Sequence, residues 1–265
     1  MDGLTLSDSQ AYRLAAERLM SGQDLYPPPQ SQDEAFRYAP WFAAAWVPIT
    51  VLPRVVGDLA WFGLLIIASI LSTLPLLMSR HRAGVLLGLL GAAMLLWTSA
   101  RGNVHPLVML ALVHGVERRS GPLWIALAAS IKAVPILFVL LFVARREWGK
   151  VLLTLVLGAV LVAPMPLLGW ELVSTDPGQS LSLYNLASPT IWAVTAALAL
   201  MLATALGIRK SRYVSVAAAG AAILVLPRLL LYDVTYLLVS PHRPARAAAD
   251  QASGLAQRTE MLPTC

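Results

Sequence analysis

Few side chains in this chain can ionise, and several of them sit where a charge is costly. Asp8 lies in a polar head over residues 1–40. Lys132, Arg228 and Asp233 stand inside apolar runs, where an insertion scale sets a charge at the bilayer centre at roughly 2.5–3.5 kcal/mol. Groups at that depth face a cavity or pair with one another. Arg101 and His105 bracket a short turn between two apolar runs. Two chemistries fit these residue types. The acidic polar head is a segment available for chemistry outside the lipid, and cations at the lipid boundary can hold an anionic headgroup. Each residue also has a plainer use. Asp8 at a helix start complements the helix dipole, worth about 0.3–1 kcal/mol. Lys132 or Arg228 can pair with Asp233, and His105 reads as a satisfied interfacial histidine.

The elements that must carry these residues are membrane helices. Of the 265 residues, 58% are hydrophobic and 13% charged, against about 25% charged in a soluble domain. So apolar a chain cannot cover its surface with polar groups, and the expected class is an all-α polytopic membrane protein. The net charge of +6 follows from the Lys and Arg that cytoplasmic loops collect, not from a nucleic-acid partner. One cysteine, Cys265, excludes an internal disulfide framework and a Cys-based metal site. No Walker A, HExxH, CxxC pair, GxSxG or Rossmann glycine pattern occurs, so ATP-driven transport, zinc proteolysis and dinucleotide chemistry lack support.

Three segments follow: a catalytic loop over 1–40, a helical domain over 41–240 and a polar cytoplasmic tail over 241–265. Residues 7–21 predict a short amphipathic helix on the membrane surface. Ser7 and Gln10 fit a capping box, Tyr12, Ala15, Ala16 and Leu19 share one face, and Gly22 suits the stop. Pro27, Pro28 and Pro29 impose extended chain. Residues 41–53 are too short to cross and predict an interfacial helix, after which Arg54 and Asp58 form an i,i+4 ion pair. Spans are expected at 59–79, 83–100, 151–170 and 189–208, with a shorter run at 102–116 and two interrupted runs, 121–144 with Lys132 near its middle and 213–240 broken at Pro227–Arg228.

Charge decides how the interrupted runs lie. If every run crossed once, Arg145, Arg146, Lys150, Arg209, Lys210 and Arg212 would fall opposite Arg80, Arg82, Arg118 and Arg119, against the positive-inside tendency. If 121–144 bends back around Lys132 and Pro135, and 213–240 around Pro227, all of these share the cytoplasmic face. The net acidic head, the 101–106 turn and the 170–188 loop then lie together outside.

The head reads D-x-x-x-Y (Asp8, Tyr12), A-A (Ala15, Ala16), S-G-x-D-L-Y (21–26), F-R-Y-A-P (36–40, with Tyr38) and V-P-I-T-V-L-P (47–53). It is followed by R-G-N-V-H-P-L-V (101–108), G-P-L-W-I-A-L-A-A-S-I-K-A-V-P (121–135), A-R-R-E-W (144–148) and L-P-R-L-L-L-Y-D (226–233). The order and spacing of these blocks resemble the integral-membrane glycosyltransferases of family 87, the DUF2029 proteins, with a GT-C-like helical bundle. The resemblance implies a bacterial plasma-membrane enzyme that moves a hexosyl unit, such as mannose, from a polyprenyl-phosphate sugar to an extracytoplasmic glycan or glycolipid hydroxyl. It implies Asp8 as general base, no cofactor and no metal. The substrate-binding candidates are Tyr12, Tyr38, Arg101, His105, Lys132, Arg228 and Asp233. Such enzymes usually begin with a membrane helix ahead of the acidic loop, so the resemblance also implies a start truncated relative to the family. Two other readings remain open: a non-catalytic lipid-phosphate carrier or transporter subunit, which would not need Asp8, and an inactive truncated remnant.

Overall fold

A computed structural model describes residues 6–27, 36–170, 180–211 and 213–239, all helices and connections. The tail expected over 241–265, most of the loop after Trp170 and the proline run beyond Pro27 lie outside the described residues.

The head helix α1 runs Ser7–Met20 and buries Ser9, Ala11, Tyr12, Ala15 and Ala16. Its N-terminus differs from expectation. The cap is Leu6 in the left-handed region, without a side-chain cap bond. Ser7 and Gln10 therefore form no capping box, because Ser7 is already the first helical residue and its Oγ has no hydrogen-bond partner among the described residues; the Asp8 amide in the first turn donates to the Arg101 carbonyl at 3.1 Å. Leu19, expected on the buried face, is 39% exposed. The buried face of α1 meets protein. It packs on α2 (Pro40–Thr50), which contributes Phe42, Ala43 and Trp46. Gly22, at φ +65, ends the helix as expected.

Helix α3 (Arg54–Leu77) and helix α4 (Arg82–Ala100) form the first membrane hairpin. The Arg54–Asp58 pair is present at 3.8 Å, but Arg13 of α1 also reaches Asp58, at 3.3 Å. That contact pins the head to the top of α3. Helix α5 (His105–Gly115) starts at the 101–104 turn, with Pro106 in its first turn rather than interrupting it. Proline is tolerated there because the amide it lacks has no helical partner.

Helix α6 (Gly121–Ile131) stops at Lys132, whose backbone is extended; a 3₁₀ turn over Val134–Val139 and α7 (Leu140–Ala144) then return. The two ends of this segment meet. Arg145 bridges Glu117, and a Cβ on Gly121 would lie 2.8 Å from the Phe142 ring. Its tip lies at the head, where Trp41 Nε1 donates to Ser130 Oγ at 3.0 Å. Residues 121–144 thus bend back, as the charge argument required.

Helix α8 (Trp148–Val162) continues into α9 (Pro164–Leu167), and α10 (Leu183–Leu186) precedes α11 (Pro189–Ile208). Helix α12 (Val214–Leu224) joins the core beside Ala144 and Phe142. After Pro227 the chain turns back through a 3₁₀ helix over Leu231–Leu238. Tyr232 lies beside Trp97 near the end of α4, whereas Leu238 meets Gly91 at its middle. This second segment also reverses. Among the described residues, four helices are long and apolar enough to cross a membrane: Arg54–Leu77, Arg82–Ala100, Trp148–Leu167 and Pro189–Ile208. Leu152, Leu153, Val156 and Val160 of α8 are exposed, as a lipid-facing surface requires. The protein is an integral membrane protein.

Candidate functional site

The head helix, the 101–104 turn and the bend of the second reversing segment surround a polar cavity of about 370 Å³. Five of the residues singled out in the sequence line it: Asp8, Tyr12, Tyr38, Arg101 and Arg228. Arg37, Trp97, Asn103 and Tyr232 complete most of the wall. These residues come from stretches more than two hundred positions apart, and two backbone devices bring them together. Gly102 holds φ +74, turning the chain after α4 so closely that a Cβ there would lie 3.0 Å from Ser9 Cβ. Trp61 Nε1 donates to the Gly102 carbonyl at 2.9 Å and holds the turn from α3.

Asp8 is half-buried and doubly tied to this turn. Its amide takes the Arg101 carbonyl, and its Oδ2 accepts from Asn103 Nδ2 at 2.6 Å. Among the described residues Oδ1 has no hydrogen-bond partner, and it is the carboxylate oxygen left for a ligand in the cavity. Arg228 and Arg101 are exposed at the rim. Arg101 stacks its guanidinium over Trp97 at 5.5 Å. One anionic acceptor therefore faces several cations across a small polar space.

Tyr12 and Tyr38 form the base of the head side. Their hydroxyls lie 3.3 Å apart, and the Val104 amide donates to the Tyr12 oxygen at 3.3 Å. Burial pushes the Tyr12 phenol well above its ordinary value, with Tyr38 and then Asp8 adding to the effect. Burial likewise raises Tyr38, against the lowering pull of Lys132. Both phenols stay protonated near neutral pH and serve as hydrogen-bonding groups, not bases.

Lys132, Asp233 and His105 lie one layer deeper, behind Tyr232. Lys132 Nζ is 3.8 Å from Asp233 Oδ1 and 4.3 Å from the Tyr232 ring centre. The structural ion pair weighed from the sequence is thus formed by Lys132, not Arg228. Asp233 Oδ2 also accepts from the Leu230 amide at 2.9 Å, fixing the start of the 3₁₀ helix. His105 is fully buried, with Nε2 bonded to Thr235 Oγ1 at 2.8 Å and its ring 4.8 Å from Tyr232. These three residues do not line the cavity; they support the side chain that does.

Sequence reasoning passed over Asn103 and counted Arg37 only as a charge. Asn103 stood inside a quoted block, R-G-N-V-H-P, but a neutral amide carries no burial anomaly to draw notice. Among the described residues no group of three His, Cys, Asp or Glu side chains could hold a metal ion.

A second cavity, a mostly apolar groove of about 620 Å³, runs between α2, α3, α5 and α6 from Trp41 and Trp61 to His114 and Arg118. Phe42 of its wall touches Tyr12 and Tyr38 edge-on, with ring centres at 5.1 and 5.4 Å. One aromatic layer separates groove from polar cavity.

The family model of glycosyltransferase family 87 matches residues 36–177, more than half of the chain. That stretch holds Tyr38, Arg101, Asn103, His105 and Lys132, while Asp8, Arg228 and Asp233 flank it. No curated protein and no solved structure matches the chain significantly.

Proposed function

We propose that this chain, which belongs to glycosyltransferase family 87 and is a membrane glycosyltransferase, transfers a hexosyl unit from a polyprenyl-phosphate sugar to a hydroxyl of a glycan or glycolipid acceptor, with Asp8 as general base. The observation that carries the reading is the cavity in which the Asp8 carboxylate faces Arg101 and Arg228. An alcohol is a weak nucleophile, and a positioned carboxylate that accepts its proton contributes typically about 10²–10⁴-fold. The acceptor oxygen forms its bond to the anomeric carbon while the bond from that carbon to the phosphate oxygen breaks. The proton passes to Asp8 Oδ1, and the lipid phosphate leaves with the bonding pair. Direct displacement inverts the anomeric centre.

The leaving phosphate gathers charge as it departs, and preorganised cations at that point lower the barrier more than they would in water. Arg228 and Arg101 at the rim are the groups for this, with Arg37 on the same wall. Lys132 acts at one remove, through Tyr232 and Asp233. The apolar groove beside the cavity offers a bed for the isoprenoid chain. The basic pairs Arg80–Arg82, Arg118–Arg119, Arg145–Arg146 and Arg209–Lys210 lie at the end of the bundle remote from Asp8, which favours an extracytoplasmic cavity.

The test is Asp8→Asn in the full chain, assayed with labelled polyprenyl-phosphate hexose in proteoliposomes. Transfer should fall about 10²–10⁴-fold while binding of the donor lipid persists. Retention of transfer within a few-fold of the parent protein would remove Asp8 as the base. Retained lipid binding without any transfer by the parent protein would favour a carrier instead.

A further inference from the structure

Asn103 is 7% exposed and touches Asp8 through the shortest side-chain hydrogen bond in the cavity, 2.6 Å from Nδ2 to Oδ2. Its other end is committed as well, since Oδ1 accepts the His105 amide at 2.9 Å. This bond fixes the amide's orientation. Flipped, the side chain would set its oxygen against a carboxylate oxygen and its NH₂ against an N–H, two repulsions in a buried place. Asn103 and Tyr232 line the same cavity, and Tyr232 belongs to the wall that Lys132 and Asp233 brace. The backbone adds a second hold, through the Asp8 amide on the Arg101 carbonyl.

We propose that Asn103 is the positioning residue of this site: it fixes Asp8 Oδ2 and thereby aims Oδ1 at the acceptor hydroxyl. The inference rests on the reading of Asp8 as general base. A carboxylate free to rotate spends much of its time with neither oxygen in line, and a misplacement of about 1 Å costs on the order of 10²-fold. A neutral donor is the suitable choice here. A lysine or arginine in the same place would hold Asp8 in its charged form and weaken it as a proton acceptor, whereas an amide orients it with less cost in basicity.

Three variants of the full-length protein test this: Asn103→Ala, Asn103→Asp and, as reference, Asp8→Asn, each assayed for kcat and donor KM across pH. Asn103→Ala should lower kcat about 10–100-fold and leave donor KM near the parent value, because the rim arginines are untouched. Asn103→Asp is nearly isosteric and sets two carboxylates against each other. The acidic limb of its kcat profile should move up by roughly one pH unit or more, with activity recovering at higher pH. A merely structural asparagine would not move that limb. The other charged and titratable groups on the cavity, Tyr12, Arg37, Tyr38, Arg101, Arg228 and Tyr232, are common to all the proteins, so a shift confined to Asn103→Asp belongs to the Asn103–Asp8 pair. If Asp8→Asn abolishes transfer while both Asn103 variants keep the parent kcat and pH limb, the positioning role is overturned and the base survives. If Asp8→Asn itself retains transfer, the base reading falls whatever the Asn103 variants do.

Discussion

Gly102→Ala tests the geometry of the site without touching any group that does chemistry. Gly102 has φ +74, a left-handed conformation that costs an L-residue roughly 1–2 kcal/mol. The added Cβ would also sit 3.0 Å from Ser9 Cβ and 3.2 Å from Ser9 N, closer than carbon atoms ordinarily pack. One side must give. The turn is the stiffer partner, for Gly102 N donates to the Ser99 carbonyl at 2.9 Å, Asn103 N to the Thr98 carbonyl at 3.0 Å, and Trp61 Nε1 to the Gly102 carbonyl at 2.9 Å. The start of α1 therefore yields and carries Asp8 with it by a few tenths of an ångström. Because a full ångström costs on the order of 10²-fold, the expected loss in kcat is about tenfold, near 1.4 kcal/mol of barrier.

The assay is initial-rate sugar transfer by purified protein in lipid nanodiscs, beside a thermal melt followed by tryptophan fluorescence. Gly63→Ala is the control, since a Cβ at Gly63 meets nothing within 4 Å; it should leave kcat alone. Ser9→Gly combined with Gly102→Ala removes two of the three colliding Ser9 atoms, Cβ and Oγ, and should return part of the lost rate. If Gly102→Ala transfers sugar within twofold of the parent protein, or if Ser9→Gly gives no relief, the close approach of head and turn does not position Asp8 and the reasoning is wrong.

Lys132→Met leaves Asp233 buried without its cation and should cost about 3–5 kcal/mol; Lys132→Met with Asp233→Leu should recover most of that loss in a melt, and a double variant no more stable than the single would refute the pairing. Arg228→Ala should leave the melt unchanged, because the side chain is exposed, yet weaken the polyprenyl-phosphate donor about tenfold, as loss of a charged hydrogen bond of roughly 1.5 kcal/mol requires; an unaltered donor KM would take Arg228 out of the phosphate site.

Much of this arrangement was legible in the residues themselves. The four long spans announce themselves by length and hydropathy, because a bilayer core of ~30 Å asks for about 20 apolar residues whatever the fold. The two reversals were visible at Lys132–Pro135 and Pro227–Arg228, where a proline and a cation interrupt an apolar run and the placement of basic loops demands an even number of crossings. What escaped notice depends on contacts distant in sequence. Ser7 and Gln10 have the residue types for a cap, but the helix begins at Ser7 itself, and the bond that ties its first turn, from the Asp8 amide to the Arg101 carbonyl, is one that no local pattern foretells. Arg13 reads as one charge among several until α1 packs against α3 and brings it to Asp58, 45 positions away. Asn103 is the sharpest case, since its meaning lies wholly in the turn that Gly102 makes.

The depth at which these groups sit follows from how the helices are broken. A helix interruption strands backbone amides and carbonyls that lipid cannot satisfy, so it must be enclosed by protein or open to water. Here three such places converge: the end of α6 at Lys132, the beginning of α5 at His105, and the 3₁₀ helix that starts at Leu231. Phe138 and Tyr236, from the two reversing segments, approach to 6.3 Å, and the His105 ring stands 5.4 Å from Tyr236. Each break shields the others, and together they enclose the Lys132–Asp233 pair beneath the head. A straight helix through either segment would remove the free backbone groups, but it would also carry Lys132 or Asp233 out into lipid and leave Tyr232 without its brace. The polar floor beneath Asp8 therefore requires that both segments turn back.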